Sequence, residues 1–297
     1  MKVSGFTICK NIVKFDYPIV EAIRSALPLV DEFVVNVGRS DDGTLDLIRS
    51  IGSEKIRIVE SVWDDVRGEG GAIFAKQTNL ALSHCTGEWG LYLQADEVLH
   101  EKDLPALRAT MEDLLPKTEV LGLMFQYFHF FGDYWAVNPW GYHREIRIIR
   151  NNGAVESWGD GSSFSRTQDG VWLKSKANPA GRVMPSGGTI YHYGYVKQPK
   201  ALLEKLRYQV GQHLGNRPPE ELLQAFRVQG LSAEQHEKLW DYEEFPFEKY
   251  DIMKEFRGPH PAVMADRIAR FPRLKRRRNR WLNWKFYQEV LRHGFKG

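Results

Sequence analysis

The feature that most constrains this chain is an alternation, over its first third, of short apolar runs with stretches at helical spacing. Val3 to Ile8 is apolar and bounded by polar residues, and Pro18 stands where a helix begins, followed by Ile19, Ile23, Ala26 and Leu27 at helical intervals. Glu32 to Val37 reads as a second strand. Ser40-Asp41-Asp42-Gly43-Thr44 then forms a polar turn able to cap a helix through Leu45, Ile48 and Ile51. Ile56 to Val59 supplies a third strand, Gly68-Glu69-Gly70-Gly71 a glycine-rich connection, and Ile73, Phe74, Leu80 and Ala81 a helical face before a fourth strand at Trp89 to Leu93. Units of this length predict a parallel sheet with right-handed crossovers, which binds its ligands outside the carboxyl ends of the strands.

Beyond this frame, Leu104 to Leu115 reads as a helix, Val120 to Phe131 as a central strand, and Glu145 to Ile149 as a half-buried strand. After Asn151 the chain is irregular and rich in Gly, Ser and Trp, with one more strand at Thr189 to Tyr193. From Pro199 the pattern is helical, through Leu202, Leu206 and Val210 and again from Glu234 to Trp240. The expected division is an α/β part over 1–196 and a helical C-terminal region over 197–297.

Two cysteines, Cys9 and Cys85, make a disulfide framework an unsuitable reading and favour a reducing, cytoplasmic setting. The apolar run at the N-terminus is too short for a signal peptide, and no stretch reaches the ~20 apolar residues that span a bilayer. The net charge of +3 is concentrated near Arg273 to Arg280. There, in the stretch 273–297, a basic cluster joins Trp281, Trp284 and Phe286, a composition suited to peripheral contact with an anionic membrane face or to a solvated basic helix with its indoles turned inward. No basic stripe or motif elsewhere points to nucleic acid.

Gln94-Ala95-Asp96-Glu97 and Ser40-Asp41-Asp42-Gly43-Thr44 each follow a predicted strand, so a parallel sheet brings them to one edge. A carboxylate such as Asp96 at that edge suits a hard divalent cation, Mn²⁺ or Mg²⁺, which retains positions for phosphate oxygens. A histidine from a later strand, His192, is a second candidate ligand and favours Mn²⁺; His260, framed by Pro259 and Pro261, is a rival. Arg67 and Lys76 flank the glycine-rich connection within reach of phosphate oxygens.

The order Lys10-Asn11, Ser40-x-Asp42-Gly43-Thr44, Lys76-x-x-Asn79 and Gly87-Glu88-Trp89 into Gln94-Ala95-Asp96-Glu97 resembles family 2 glycosyltransferases over about the first 100 residues. The resemblance implies a GT-A fold, a Rossmann-like, mostly parallel sheet flanked by helices. It also implies a UDP- or GDP-sugar donor, a hydroxyl acceptor on a glycan or glycolipid, and usually inversion. Asp96 takes the place of the second Asp of an Asp-x-Asp metal motif, while Ser40, Asp42, Asn36 and Asn79 belong to the implied nucleotide-sugar site. Gln94 departs from the first Asp of that motif, though its amide still reaches a ribose hydroxyl. Val37 or Gly38 stands where many members carry an Asp at the nucleobase.

Inversion requires a general base near the acceptor hydroxyl. Asp160, in the aromatic loop Trp158-Gly159-Asp160-Gly161, is the first candidate; Glu145 is the second, with Arg144 or Arg147 as alternative partners that would occupy it. Two other functions fit the same sheet: a nucleotidyltransferase, against which the lack of a glycine-rich basic segment over Val3 to Lys14 speaks, and a nucleotide- or glycan-binding module without catalysis, which Gln94 motivates.

Overall fold

A computed structural model describes residues 1–63, 71–139, 141–198, 201–202, 204–205, 208 and 253–273 of the chain. The predicted alternation is present: β1 (Val3–Cys9), α1 (Ile19–Ala26), β2 (Glu32–Gly38), α2 (Thr44–Arg49), β3 (Ile56–Ser61), α3 (Ala72–Ser83) and β4 (Trp89–Tyr92). Strands β3, β2, β1 and β4 run parallel in that spatial order. Their near-continuous apolar runs are explained by cover on both faces. Val3, Cys9, Phe33, Val35, Val37, Trp89 and Leu91 pack with Ile19, Ile23 and Ala26 of α1. Phe6, Val34 and Tyr92 point the other way, onto Ala81 and Leu82 of α3.

The sheet continues with β8 (Arg144–Arg150), antiparallel to β4, and β6 (Gly122–Phe131), antiparallel to β8. Short β7 (Ala136–Val137) and β12 (Lys254–Glu255) extend that edge, and α4 (Leu104–Leu114) packs below. The strand expected at Thr189 to Tyr193 is longer, β11 (Val183–Tyr195). It runs parallel to β6 and pairs on its other side with β5 (Glu97–Leu99), a strand not foreseen in the acidic turn. Its first irregularity falls at Pro185, which has no N–H for the ladder. The second lies between His192 and Tyr195, which pair with His129 and Phe131: three steps on one strand oppose two on the other, a β-bulge.

The segment after Asn151, expected to be irregular, contains a hairpin, β9 (Val155–Trp158) and β10 (Ser163–Arg166). Its alternation is hard to see because three of its buried positions, Ser157, Ser163 and Ser165, are polar. Gly161 has a positive φ of 74° in the turn, and a Cβ there would collide with the backbone of Phe74 at the start of α3. Asn79 of α3 clips the hairpin in place, donating to Ser157 O at 3.0 Å and accepting from Ser157 N at 2.7 Å. Asn79→Ala leaves both backbone groups unpaired and is expected to cost about 1–3 kcal/mol of stability, read from the urea midpoint at unchanged slope.

After residue 196, the described residues 201, 202, 204, 205 and 208 are helical, and a helix α5 (Ala265–Arg270) follows a 3₁₀ turn at Ala262–Met264. Leu206, Val210, Glu234 to Trp240 and the tail over 274–297 lie outside the described residues. Met264 packs with Ala22, and Arg267 contacts Asp16 at 2.7 Å, so this region lies against the first part of the chain. Among the described residues no helix is long and apolar enough to cross a membrane.

Candidate functional site

The parallel strands end on one edge, where a cleft of about 400 Å³ opens over Lys10, Gln94, Asp96, His129, Asp160 and His192, among others. Its floor is built by the turn after β4. Glu97 N donates to Gln94 O at 3.0 Å and Gln94 N to Glu97 Oε2 at 3.1 Å, which closes the turn and aims Asp96 into the cleft. The fully buried Glu97 carboxylate is held by Arg147, whose Nε and Nη2 donate at 2.7 and 2.8 Å, and by the Tyr127 hydroxyl at 2.9 Å. Arg147 lies between the rings of Tyr92 and Tyr127 and also donates to Ser162 O, so one buried ion pair ties the Asp96 turn to the loop carrying Asp160.

Asp96 Oδ2 lies 3.5 Å from His192 Nε2 and 3.0 Å from the ammonium of Lys205. Burial favours the neutral carboxyl, but Lys205 and then His192 more than offset it and hold Asp96 well below the usual carboxylate range. The other nitrogen of His192, Nδ1, meets His129 Nδ1 at 3.1 Å, and His129 Nε2 meets Tyr142 O at 2.7 Å. A carbonyl only accepts, so His129 Nε2 carries a proton. Burial, then the neighbouring His192, lower the His129 pKa to about 3, which keeps the ring neutral and makes its Nδ1 the acceptor. His192 therefore donates through Nδ1, which leaves its Nε2 as the ring atom that meets the Asp96 carboxylate.

Gly194, in the bulge of β11, keeps that space open. A Cβ there would lie no more than 2.8 Å from Asp96 Oδ2, Lys205 Nζ and His192 Nε2 together. The donor set of one carboxylate oxygen and one imidazole nitrogen fits a divalent cation that takes its remaining ligands from phosphate or water. Among the described residues there is no group of three or more His, Cys, Asp or Glu side chains that could hold a metal ion. Gly194→Ala fills the cradle and is expected to lower activity about 10²-fold through displacement of these groups, measured as turnover with the melting temperature as control.

Of the residues singled out in the sequence, Gln94, Asp96, His192 and Asp160 meet in the cleft. Asp160 lies exposed at its mouth, and Asp160 Oδ1 accepts from the Ser162 backbone N–H at 3.1 Å and from its hydroxyl at 2.5 Å. Glu145 is buried to one side, paired with Lys174 at 2.9 Å instead of with Arg144 or Arg147. Asn36 is fully buried between β2, β3 and α3, donating to Gln77 and accepting from the Ser61 hydroxyl. Ser40 and Asp42 support the loop after β1: Asn11 N donates to Ser40 Oγ, and Lys14 N and Thr44 N donate to Asp42. These residues shape the cleft without lining it. Lys76 is exposed on α3, Asn79 holds the hairpin, and Arg67 lies outside the described residues. His260 accompanies Tyr193 (2.8 Å) in an aromatic core away from the cleft, and burial lowers its pKa to about 4.

The sequence reading did not single out His129, Lys205 or Trp63. Trp63 forms a wall of the cleft with Phe74, with the Lys10 ammonium 5.8 Å from its ring. A signal for His129 exists: it interrupts the aromatic run Tyr127-Phe128-His129-Phe130-Phe131 on the inner side of a central strand.

The sequence model of glycosyl transferase family 2 matches residues 17–169, just over half of the chain. The chain belongs to glycosyl transferase family 2. The topology accords with the GT-A arrangement expected of that family, a mixed sheet of mostly parallel strands flanked by helices. Among solved structures, this family 2 chain is similar to TarS of S. aureus at 15% identity and a TM-score of 0.39, covering 79% of this chain and 45% of that one. The 1–349 portion of TarS in complex with UDP matches at 16% identity and a TM-score of 0.39, covering 85% and 83%. Glucosyl-3-phosphoglycerate synthase from Mycobacterium tuberculosis, in complex with Mn²⁺, UDP-glucose and phosphoglyceric acid, matches at 21% identity and a TM-score of 0.30, covering 43% and 44%. The chain thus spans less than half the length of full TarS. No curated protein matches it significantly.

Proposed function

We propose that this chain transfers a sugar from a nucleotide-diphosphate sugar to a hydroxyl acceptor, with inversion at the anomeric carbon. The observation that carries the reading is the convergence of Gln94, Asp96 and His192 with Asp160 in one strand-end cleft of a family 2 chain. Asp96 and His192 are the residues that would hold a divalent cation, which when bound neutralises charge on the departing diphosphate. The Gln94 amide offers a donor and an acceptor to a ribose hydroxyl, and the Trp63 and Phe74 rings offer an apolar wall to the base. Asp160 takes the acceptor hydroxyl proton as the new C–O bond forms, while the bond from C1 to the phosphate oxygen breaks and its electron pair leaves with the diphosphate. Ser162 fixes the direction of that carboxylate.

The test is release of nucleoside diphosphate from a panel of UDP- and GDP-sugars with Mn²⁺ and hydroxyl acceptors such as oligosaccharides and glycolipids. Asp160→Asn is expected to keep donor binding and to lower transfer about 10²-fold, the lower end of a general-base contribution. Failure of the native chain both to bind and to turn over every donor would end the transferase reading. Binding without turnover would favour the non-catalytic module instead.

A further inference from the structure

Lys205 is an unusual neighbour for a metal ligand. Its ammonium is buried, with 2% of the side chain exposed, and donates to Asp96 Oδ2 at 3.0 Å and to Gly194 O at 2.9 Å. The rings of Tyr17 and Tyr195 lie 4.8 and 5.0 Å away. The cleft therefore contains a complete, hydrogen-bonded ion pair between Asp96 and a resident cation.

That cation lies beside the position a metal would need. The point marked by a Cβ on Gly194 lies within 2.8 Å of Lys205 Nζ and of both prospective ligand atoms, Asp96 Oδ2 and His192 Nε2. A divalent ion at that point would stand within one contact distance of an ammonium, in a buried setting where like charges repel strongly. A second buried lysine stands nearby. Lys197, which donates to Phe15 O and Asp16 O, has its pKa lowered to about 7 by burial first and by Lys205 second.

We propose that Lys205 and a divalent cation are alternative occupants of one position at Asp96, so that the ligand-free chain is closed by its own ammonium and metal loading requires Lys205 to withdraw. The inference rests on the metal role given to Asp96 and His192 above. A diphosphate arriving with the metal supplies the anion to which a displaced ammonium turns, so cation and nucleotide load together. Metal alone meets a neutralised carboxylate.

Mn²⁺ binding to the full chain, followed by the paramagnetic resonance signal of free Mn²⁺, tests this without a turnover assay. Without nucleotide, Lys205→Met is expected to bind Mn²⁺ at least tenfold more tightly than the native chain, whereas Lys205→Arg, which keeps the charge, retains the native weak affinity. Adding Asp96→Asn to Lys205→Met is expected to abolish the gain, which locates it at this carboxylate. Lys205→Gln gives the same comparison if the methionine variant does not fold. Equal Mn²⁺ affinity of the native chain and a folded neutral variant would overturn mutual exclusion and leave the metal role of Asp96 standing. Absence of Mn²⁺ binding in every variant, with and without UDP, would overturn both, and nucleotide-sugar turnover in the presence of EDTA would then show whether the transferase reading survives.

Discussion

Asp96→Asn is expected to lower sugar transfer by about 10³-fold. Stabilisation of a departing diphosphate by a carboxylate-held cation is worth several kcal/mol, and each 1.4 kcal/mol is about a factor of ten in rate. The substitution preserves shape and removes the charge, so the loss reports on charge. It also takes the counter-charge from Lys205, which keeps its bond to Gly194 O. A drop in stability accordingly accompanies the drop in rate, and Lys205→Met in the same chain is expected to restore stability without restoring transfer. The measurement is steady-state turnover of a nucleotide sugar beside urea unfolding of the single and double variants. Transfer within tenfold of native in the folded single variant would remove Asp96 from the chemistry.

Arg147→Met is expected to lower stability by about 3–5 kcal/mol, the usual cost of leaving one member of a buried ion pair without its partner. Glu97 and Arg147 are both fully buried, and the guanidinium makes two bonds to the carboxylate and two more to backbone carbonyls. No solvent reaches Glu97 to compensate. Arg147→Met combined with Glu97→Leu removes both charges and is expected to recover part of the loss, because apolar replacement of an entire buried pair is often neutral. Urea midpoints decide the matter: a single variant within about 1 kcal/mol of native would mean that Glu97 does not remain charged in the folded chain.

The strand and helix alternation was legible because it is a local pattern: Phe33, Val35 and Val37 face one helical layer while Val34 faces the other. The position of Asp96 followed from that frame and the strand-end rule. Glu97 was not legible, because what makes it an anchor is Arg147, fifty residues further on. The support roles of Asn36, Ser40 and Asp42 were hidden for a related reason. A polar residue near a strand end reads the same whether it faces a ligand or a neighbouring loop, and only the fold decides which. Lys205 left a faint trace, standing three residues after the buried Leu202 on a helical pattern, where a lysine on the apolar side implies a buried counter-charge. Naming that counter-charge required β11.

That strand also governs when the cleft can come into being. β11 brings His192 and Gly194 to Asp96 from about a hundred residues downstream, and it fills the gap between β5 and β6. A nascent chain that has emerged only through residue 169, the end of the family match, carries the parallel strands β1 to β4 but leaves the pairing edges of β5 and β6 open, the kind of edge that invites association with another chain. Closure of the site and protection of those edges are one event, the docking of β11, and this makes the cleft a late product of synthesis.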